Sequence, residues 1–174
     1  MRTPSAEGVG LVTMRDLVHN CLRMRPDRII VGEIRGPEAF DLLQAMNTGH
    51  DGCMGTFHAN SPRDALFRLE NMVAMANLGI PMETIREQIA SSVEVIVQTK
   101  RLRDGSKKVM NIDEIVGMEK DIITMHDLVS YEITGEDDDH HLLGYFKFSG
   151  LRPMFYKKAV HFGLEGELLK IMQG

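Results

Sequence analysis

Glu33 ends the apolar run Arg28-Ile29-Ile30-Val31-Gly32-Glu33, and His58 ends a second run, Gly55-Thr56-Phe57-His58. Both runs read as strands of a parallel sheet, where sites lie beyond the carboxyl ends of the strands. One helix separates them, so the two strands are expected side by side, with the acid and the imidazole on one edge. A carboxylate there can hold Mg²⁺ through water or orient an attacking water. A neighbouring imidazole can sense or stabilise a terminal phosphate, and Arg35 adds positive charge at the rim. Phosphoryl transfer asks a protein mainly for placement and charge neutralisation, so these are suitable parts. A Gly-rich nest for the phosphates is missing: GxxxxGK[ST] does not occur, and the chain has no Gly-Lys dipeptide.

Plainer readings compete at each residue. Glu33 can be read as a solvated acid at a strand end, but an acid directly after Ile-Ile-Val is awkward in a buried strand, which favours function. His58 alone would serve as a structural hydrogen-bonder to its own loop, and Arg35 as a cap for helix-end carbonyls. His50, Asp51, Cys53 and His58 can be drawn as a zinc set, but the spacing fits no compact ligand pattern. His140-His141, beside three aspartates, reads as a solvated loop. No Ser-His-Asp or Cys-His arrangement is evident.

The elements that must carry these residues follow from hydrophobic periodicity. Residues 1–12 read as a loop with room for a short strand. Thr13 and Asp16 form a helix-start signature, and Leu17, Val18, Cys21 and Leu22 make an apolar stripe ended by Arg25-Pro26. The Arg28–Glu33 run lacks polar alternation, as in a strand buried on both faces. Gly36-Pro37-Glu38 opens a helix with Phe40, Leu43 and Met46 inward, closed by Gly49. Cys53 to His58 is the next strand. Ser61 starts a helix carrying Leu66, Leu69, Met72 and Val73, and residues 82–92 form another.

After residue 92 the pattern changes. Residues 93–103 and 107–116 flank Asp104-Gly105 as a hairpin, residues 122–133 and 142–148 read as further strands, and Pro153–His161 as a short helix. The expected fold is an α/β half-domain over 1–92, with a parallel sheet and flanking helices, followed by a β-hairpin-rich tail over 93–174.

Length and composition agree with one full globular core, or with a core plus a small appendage. The 174 residues are 43% hydrophobic and 26% charged, with net charge −5 and both signs mixed along the chain. That argues against a dedicated nucleic-acid surface. No apolar run approaches the ~20 residues that cross a bilayer, and the first residues lack the apolar core of a signal peptide. Cys21 and Cys53 suit reduced thiols in a cytoplasm.

Three long stretches carry a resemblance: Leu22 to Gly36, Ala45-Met46-Asn47-Thr48-Gly49-His50-Asp51-Gly52, and Gly55-Thr56-Phe57-His58-Ala59-Asn60. With them the chain resembles the secretion-superfamily ATPases of type II secretion, type IV pilus assembly and type IV secretion. It looks closest to the CpaF-type ATPase of tight-adherence (Flp) pili. The resemblance implies a RecA-like P-loop NTPase core, with Ile29–Glu33 as the Walker B strand and Glu33 supporting Mg²⁺, through water, and the attacking water. It makes Thr56-Phe57-His58 the family's His box, with His58 near the terminal phosphate. Gly32, Thr56, Arg2, Arg15 and Arg23 become candidate contacts to ATP or to adjoining subunits.

It further implies a homo-hexamer peripheral to the cytoplasmic face of the inner membrane, working on a platform protein and on pilin. The family's Walker A loop would lie before Met1, so this chain alone is expected to be inactive, with an unpaired sheet edge. A reading of another class is a non-catalytic module that binds ATPase subunits or the platform.

Overall fold

The computed structural model describes residues 10–172. The chain divides into two units, one ending at Val93 and the other beginning at Glu94.

In the first unit the order is α1 (Met14–Arg23), β1 (Ile30–Val31), α2 (Glu38–Asn47), β2 (Met54–Gly55), α3 (Pro62–Ala74) and α4 (Met82–Ser92). The expected parallel pairing is present: Ile30 stands opposite Met54 and Val31 opposite Gly55. Regular strand is shorter than the apolar runs suggested, because the chain bends at Gly32. Backbone pairing nevertheless continues outward. Thr56 N–H donates to Val31 C=O at 3.2 Å, and Ile34 N–H donates to Thr56 C=O at 2.7 Å.

Local signals explain the helices. Thr13 and Asp16 form a reciprocal capping box on α1. Ser61 caps α3 by accepting Asp64 N–H, with Pro62 in the first turn. Gly49, at φ +95°, follows the last turn of α2. Packing centres on α2, which lies against α1, α3 and α4. Its buried apolar face is Ala39, Leu42, Leu43 and Ala45, while Phe40 and Met46, expected inward, are only half-buried. On α3 the expected set Leu66, Leu69, Met72 and Val73 is fully buried; on α1 only Val18 is.

The expectation that the first strand is buried on both faces fails. Ile29, Val31 and Ile34 are core residues, but Ile30 is 68% exposed and its partner Met54 50% exposed. Among the described residues no layer covers that side of the two-stranded sheet.

The second unit is an antiparallel meander in the order β3 (Val95–Arg101), β4 (Lys107–Glu119), β5 (Ile122–Glu136), β6 (Leu142–Phe148), followed by α5 (Tyr156–His161) and α6 (Glu165–Met172). The hairpin closes over Leu102–Ser106, with Gly105 at φ +82°, which favours glycine. The helix expected over Pro153–His161 begins at Tyr156, and α6 is additional to the sequence reading. Glu114 is buried and accepts Met154 N–H at 2.8 Å and Phe155 N–H at 3.0 Å, pinning the entry to α5. His140 and His141 are exposed, paired with Glu136 and Asp137 in the β5–β6 turn. No described helix is long and apolar enough to cross a membrane.

Asp104 joins the two turns of the meander. It accepts Leu142 N–H at 2.9 Å, Ser106 N–H at 3.0 Å and the Ser106 hydroxyl at 2.7 Å. These donors, Leu142 first, stabilise the charged form and pull the carboxyl from 3.8 down to about 2. A lowered folded-state value means the stabilisation is fully present above 3.8 and disappears as pH falls through about 2. Carboxylate NMR should therefore find the Asp104 midpoint near 2. Asp104→Asn should erase the part of the acid-induced loss of stability that develops between 3.8 and that midpoint.

Candidate functional site

Parallel pairing brings the two strand ends together, and three of the expected side chains meet there. Arg35 Nη2 donates to Glu33 Oε2 at 2.6 Å, and His58 Nε2 stands 3.5 Å from Glu33 Oε1. The Glu33 side chain is 34% exposed, Arg35 76% and His58 86%, so the acid sits at the base of an open edge. The Arg35 hydrogen bond holds the Glu33 carboxyl below its usual range, and the charges of Arg35, His58 and Arg68 add to the effect. Arg35 is in turn raised by Glu33. Near neutral pH the centre is therefore an ionised carboxylate paired with the Arg35 guanidinium.

The remaining candidates fall in different places. The Thr56 hydroxyl donates to Gly32 C=O at 2.5 Å, tying the two strand ends together. Gly32 is exposed, with nothing within 4 Å of where a Cβ would stand. Arg15 is held elsewhere: Nε donates to Asp41 Oδ2 at 2.5 Å and Nη2 to Asp41 Oδ1 at 3.0 Å, with His19 Nε2 2.9 Å from the same carboxylate. Burial pushes the Asp41 carboxyl up, but the bonds from Arg15 and His19 outweigh it and the net shift is downward. Arg15 therefore joins α1 to α2. Arg23 is exposed in the last turn of α1, and Arg2 lies outside the described residues. Cys53 Sγ accepts Ile29 N–H at 3.3 Å. Among the described residues no three His, Cys, Asp or Glu side chains gather as a metal cluster.

Sequence reasoning passed over three contributors. Arg68 on α3 acts on Glu33 through its charge; its spacing resembles any solvated helix position. Glu38 accepts the backbone N–H groups of Arg35 and Gly36, although Pro-Glu at a helix start signals only a favourable first turn. Gly55 stands where strand meets core: a Cβ there would overlap Ile34 Cδ1 and press on Ile34 Cγ1 and Leu42 Cδ2 at 3.2 Å.

Comparison with known proteins adds lineage to this geometry. The sequence pattern that defines the family "Type II/IV secretion system protein" matches residues 3–137. The chain belongs to that family. A Mycobacterium tuberculosis protein named as a conjugal transfer protein is 45% identical over 111 residues, covering 64% of this chain and 31% of the relative. The type IV secretion system protein PtlH of Bordetella pertussis is 37% identical over 102 residues, 57% of this chain and 30% of PtlH. The crystal structure of the VirB11 ATPase from the Brucella suis type IV secretion system, in complex with sulphate, superposes with a TM-score of 0.54 at 33% identity. That match covers 58% of this chain and 31% of VirB11. The chain thus spans about a third of the length of these relatives.

Two outcomes follow. Gly55→Ala must displace Ile34, directly after Glu33, and should cost about 1–3 kcal/mol of stability by overpacking, read from urea unfolding. Arg15→Ala should cost about 1–3 kcal/mol by leaving the buried Asp41 carboxylate short of donors, whereas Arg23→Ala should change stability by less than about 0.5 kcal/mol.

Proposed function

We propose that this chain is the Walker B and His-box portion of a motor that hydrolyses ATP to drive pilin or protein export. Within the family we assign it to the CpaF-type, tight-adherence (Flp) pilus group. On this reading the intact protein works as a homo-hexamer against a membrane platform protein at the cytoplasmic face of the inner membrane. The observation that carries the reading is the convergence of Glu33, Arg35 and His58 at the ends of adjacent parallel strands.

The donor set fits magnesium in one particular way. Mg²⁺ keeps several waters and takes one or two carboxylates together with substrate phosphates. Glu33 is ionised and accessible, but one oxygen is bonded to Arg35 and the other faces His58. It therefore suits a bond to a metal-held water, or to the attacking water, better than direct ligation. Bound Mg-ATP would supply the reactive terminal phosphoryl group with part of its charge neutralised. Glu33 would orient water as an acceptor, His58 would lie beside the terminal phosphate, and Arg35 would swing from Glu33 to growing negative charge. Gly32 and Thr56 would shape the floor between them. The tasks of Glu33, His58 and Arg35 each need a side chain at the open edge, and that supports the assignment.

The phosphate-cradling amides and lysine have no counterpart in this sequence, so the chain alone should bind Mg-ATP weakly and release no phosphate above background. Turnover should become measurable when residues 10–172 replace the matching segment of a P-loop-bearing relative. In that chimera Glu33→Gln should lower kcat by roughly 10²–10⁴-fold and His58→Ala by about 10-fold or more. Phosphate release that survives Glu33→Gln would remove Glu33 from the chemistry.

A further inference from the structure

The turn between β1 and α2 is built on one oxygen of one buried carboxylate. Arg35 donates its backbone N–H to Glu38 Oε1 at 2.8 Å, and Gly36 donates to the same oxygen at 3.1 Å. Glu38 is 7% exposed and Gly36 is buried, so water does not compete freely for these donors. As the first residue of α2, Glu38 also lies at the positive end of the helix dipole.

The consequence concerns Arg35. Its guanidinium is exposed, and an exposed ion pair is too weak to order two side chains unaided. Something else must aim it. The backbone immediately under Arg35 and Gly36 is clamped from the helix side by Glu38, while Ile34 N–H is clamped from the strand side by Thr56 C=O. Arg35 therefore projects from a fixed stem, two residues from Glu33. We propose that Glu38 is a positioning residue for this site: through two backbone bonds it sets the stem of Arg35 and so holds the guanidinium on Glu33. The functional weight of that positioning rests on the ATP-hydrolysis reading; the positioning itself does not.

The test is made on the 174-residue chain without nucleotide, so its failure is distinct from a failure of the ATPase reading. Backbone amide exchange at Arg35 and Gly36, and the ¹⁵N order parameter of Arg35 Nε, are measured by NMR in the parent chain, Glu38→Ala, Glu38→Asp and Glu38→Gln. Gln keeps an oxygen where both donors converge; Asp keeps the charge but is one methylene short. We expect Ala and Asp to speed exchange at these two amides by about 10-fold or more and to lower Arg35 Nε order, with the Ile89 amide unchanged. Gln should return both readouts to within about threefold of the parent. Should Glu38→Ala fail to fold, the contrast between Asp and Gln decides the matter. Unchanged exchange and unchanged Arg35 order in Ala or Asp would overturn the proposal. So would loosening in Gln equal to that in Asp, or loosening spread evenly over the unit.

Discussion

The pairing of Ile29–Ile34 with Met54–Thr56 is the constraint on which the site depends, because it alone brings residues 33 and 58 to one edge. Its hydrogen bonds are few: Met54 to Ile29, Thr56 to Val31 and Ile34 to Thr56 lie outside the regular ladder and extend it. At about 0.5–1.5 kcal/mol net each, such bonds cannot by themselves hold two short strands in register. Burial of Val31, Ile34 and Leu42 supplies more, at about 1.5–3 kcal/mol for each large aliphatic side chain removed from water. Register is therefore set from the core side. Gly55 belongs to that arrangement, since its missing side chain is the space Ile34 and Leu42 occupy.

Two arginine–carboxylate pairs in the first unit show how burial separates structural from chemical roles. Asp41 is buried and takes two bonds from Arg15 and one from His19, so release of Arg15 would leave a core carboxylate short of donors. Glu33 and Arg35 form a pair with similar distances at an open edge, where water can replace either partner. The first arrangement is a fastening. The second can re-partner when a more strongly charged group arrives, as a phosphate would be. Residue type alone does not distinguish Arg15 from Arg35.

Legibility followed the same division. Hydrophobic period revealed α1 to α4, because a buried stripe imposes that period directly; element order pointed to the parallel strand pair, and the runs over 122–133 and 142–148 correspond to β5 and β6. The meeting of Glu33 with His58 was legible from element order, since strand ends joined by one crossover share an edge. Exposure of Ile30 and Met54 was not, because an apolar run records what a strand can bury and not whether a layer is present to cover it. The half-buried Phe40 and Met46 were not legible either: α2 meets its three neighbouring helices through a face centred on Ala39, Leu42, Leu43 and Ala45. The roles of Glu38 and Asp41 were invisible because an acid in a first helical turn is ordinary whether it faces solvent or core.

Those acids make α2 more than a connector. Glu38 and Asp41 lie three residues apart in its first turn, both buried, and reach different neighbours: one the turn that carries Arg35, the other the α1 residues Arg15 and His19. Behind them Leu42 meets the strand pair through Gly55, and the helix body packs against α3, which carries Arg68. A small rotation of α2 would therefore change the Arg35 stem, the α1 fastening and the fit beneath Gly55 together. Interiors packed this closely do not absorb such a rotation gradually. The charged edge is consequently as rigid as the seating of this one helix, even though the side chains that form it are largely in water.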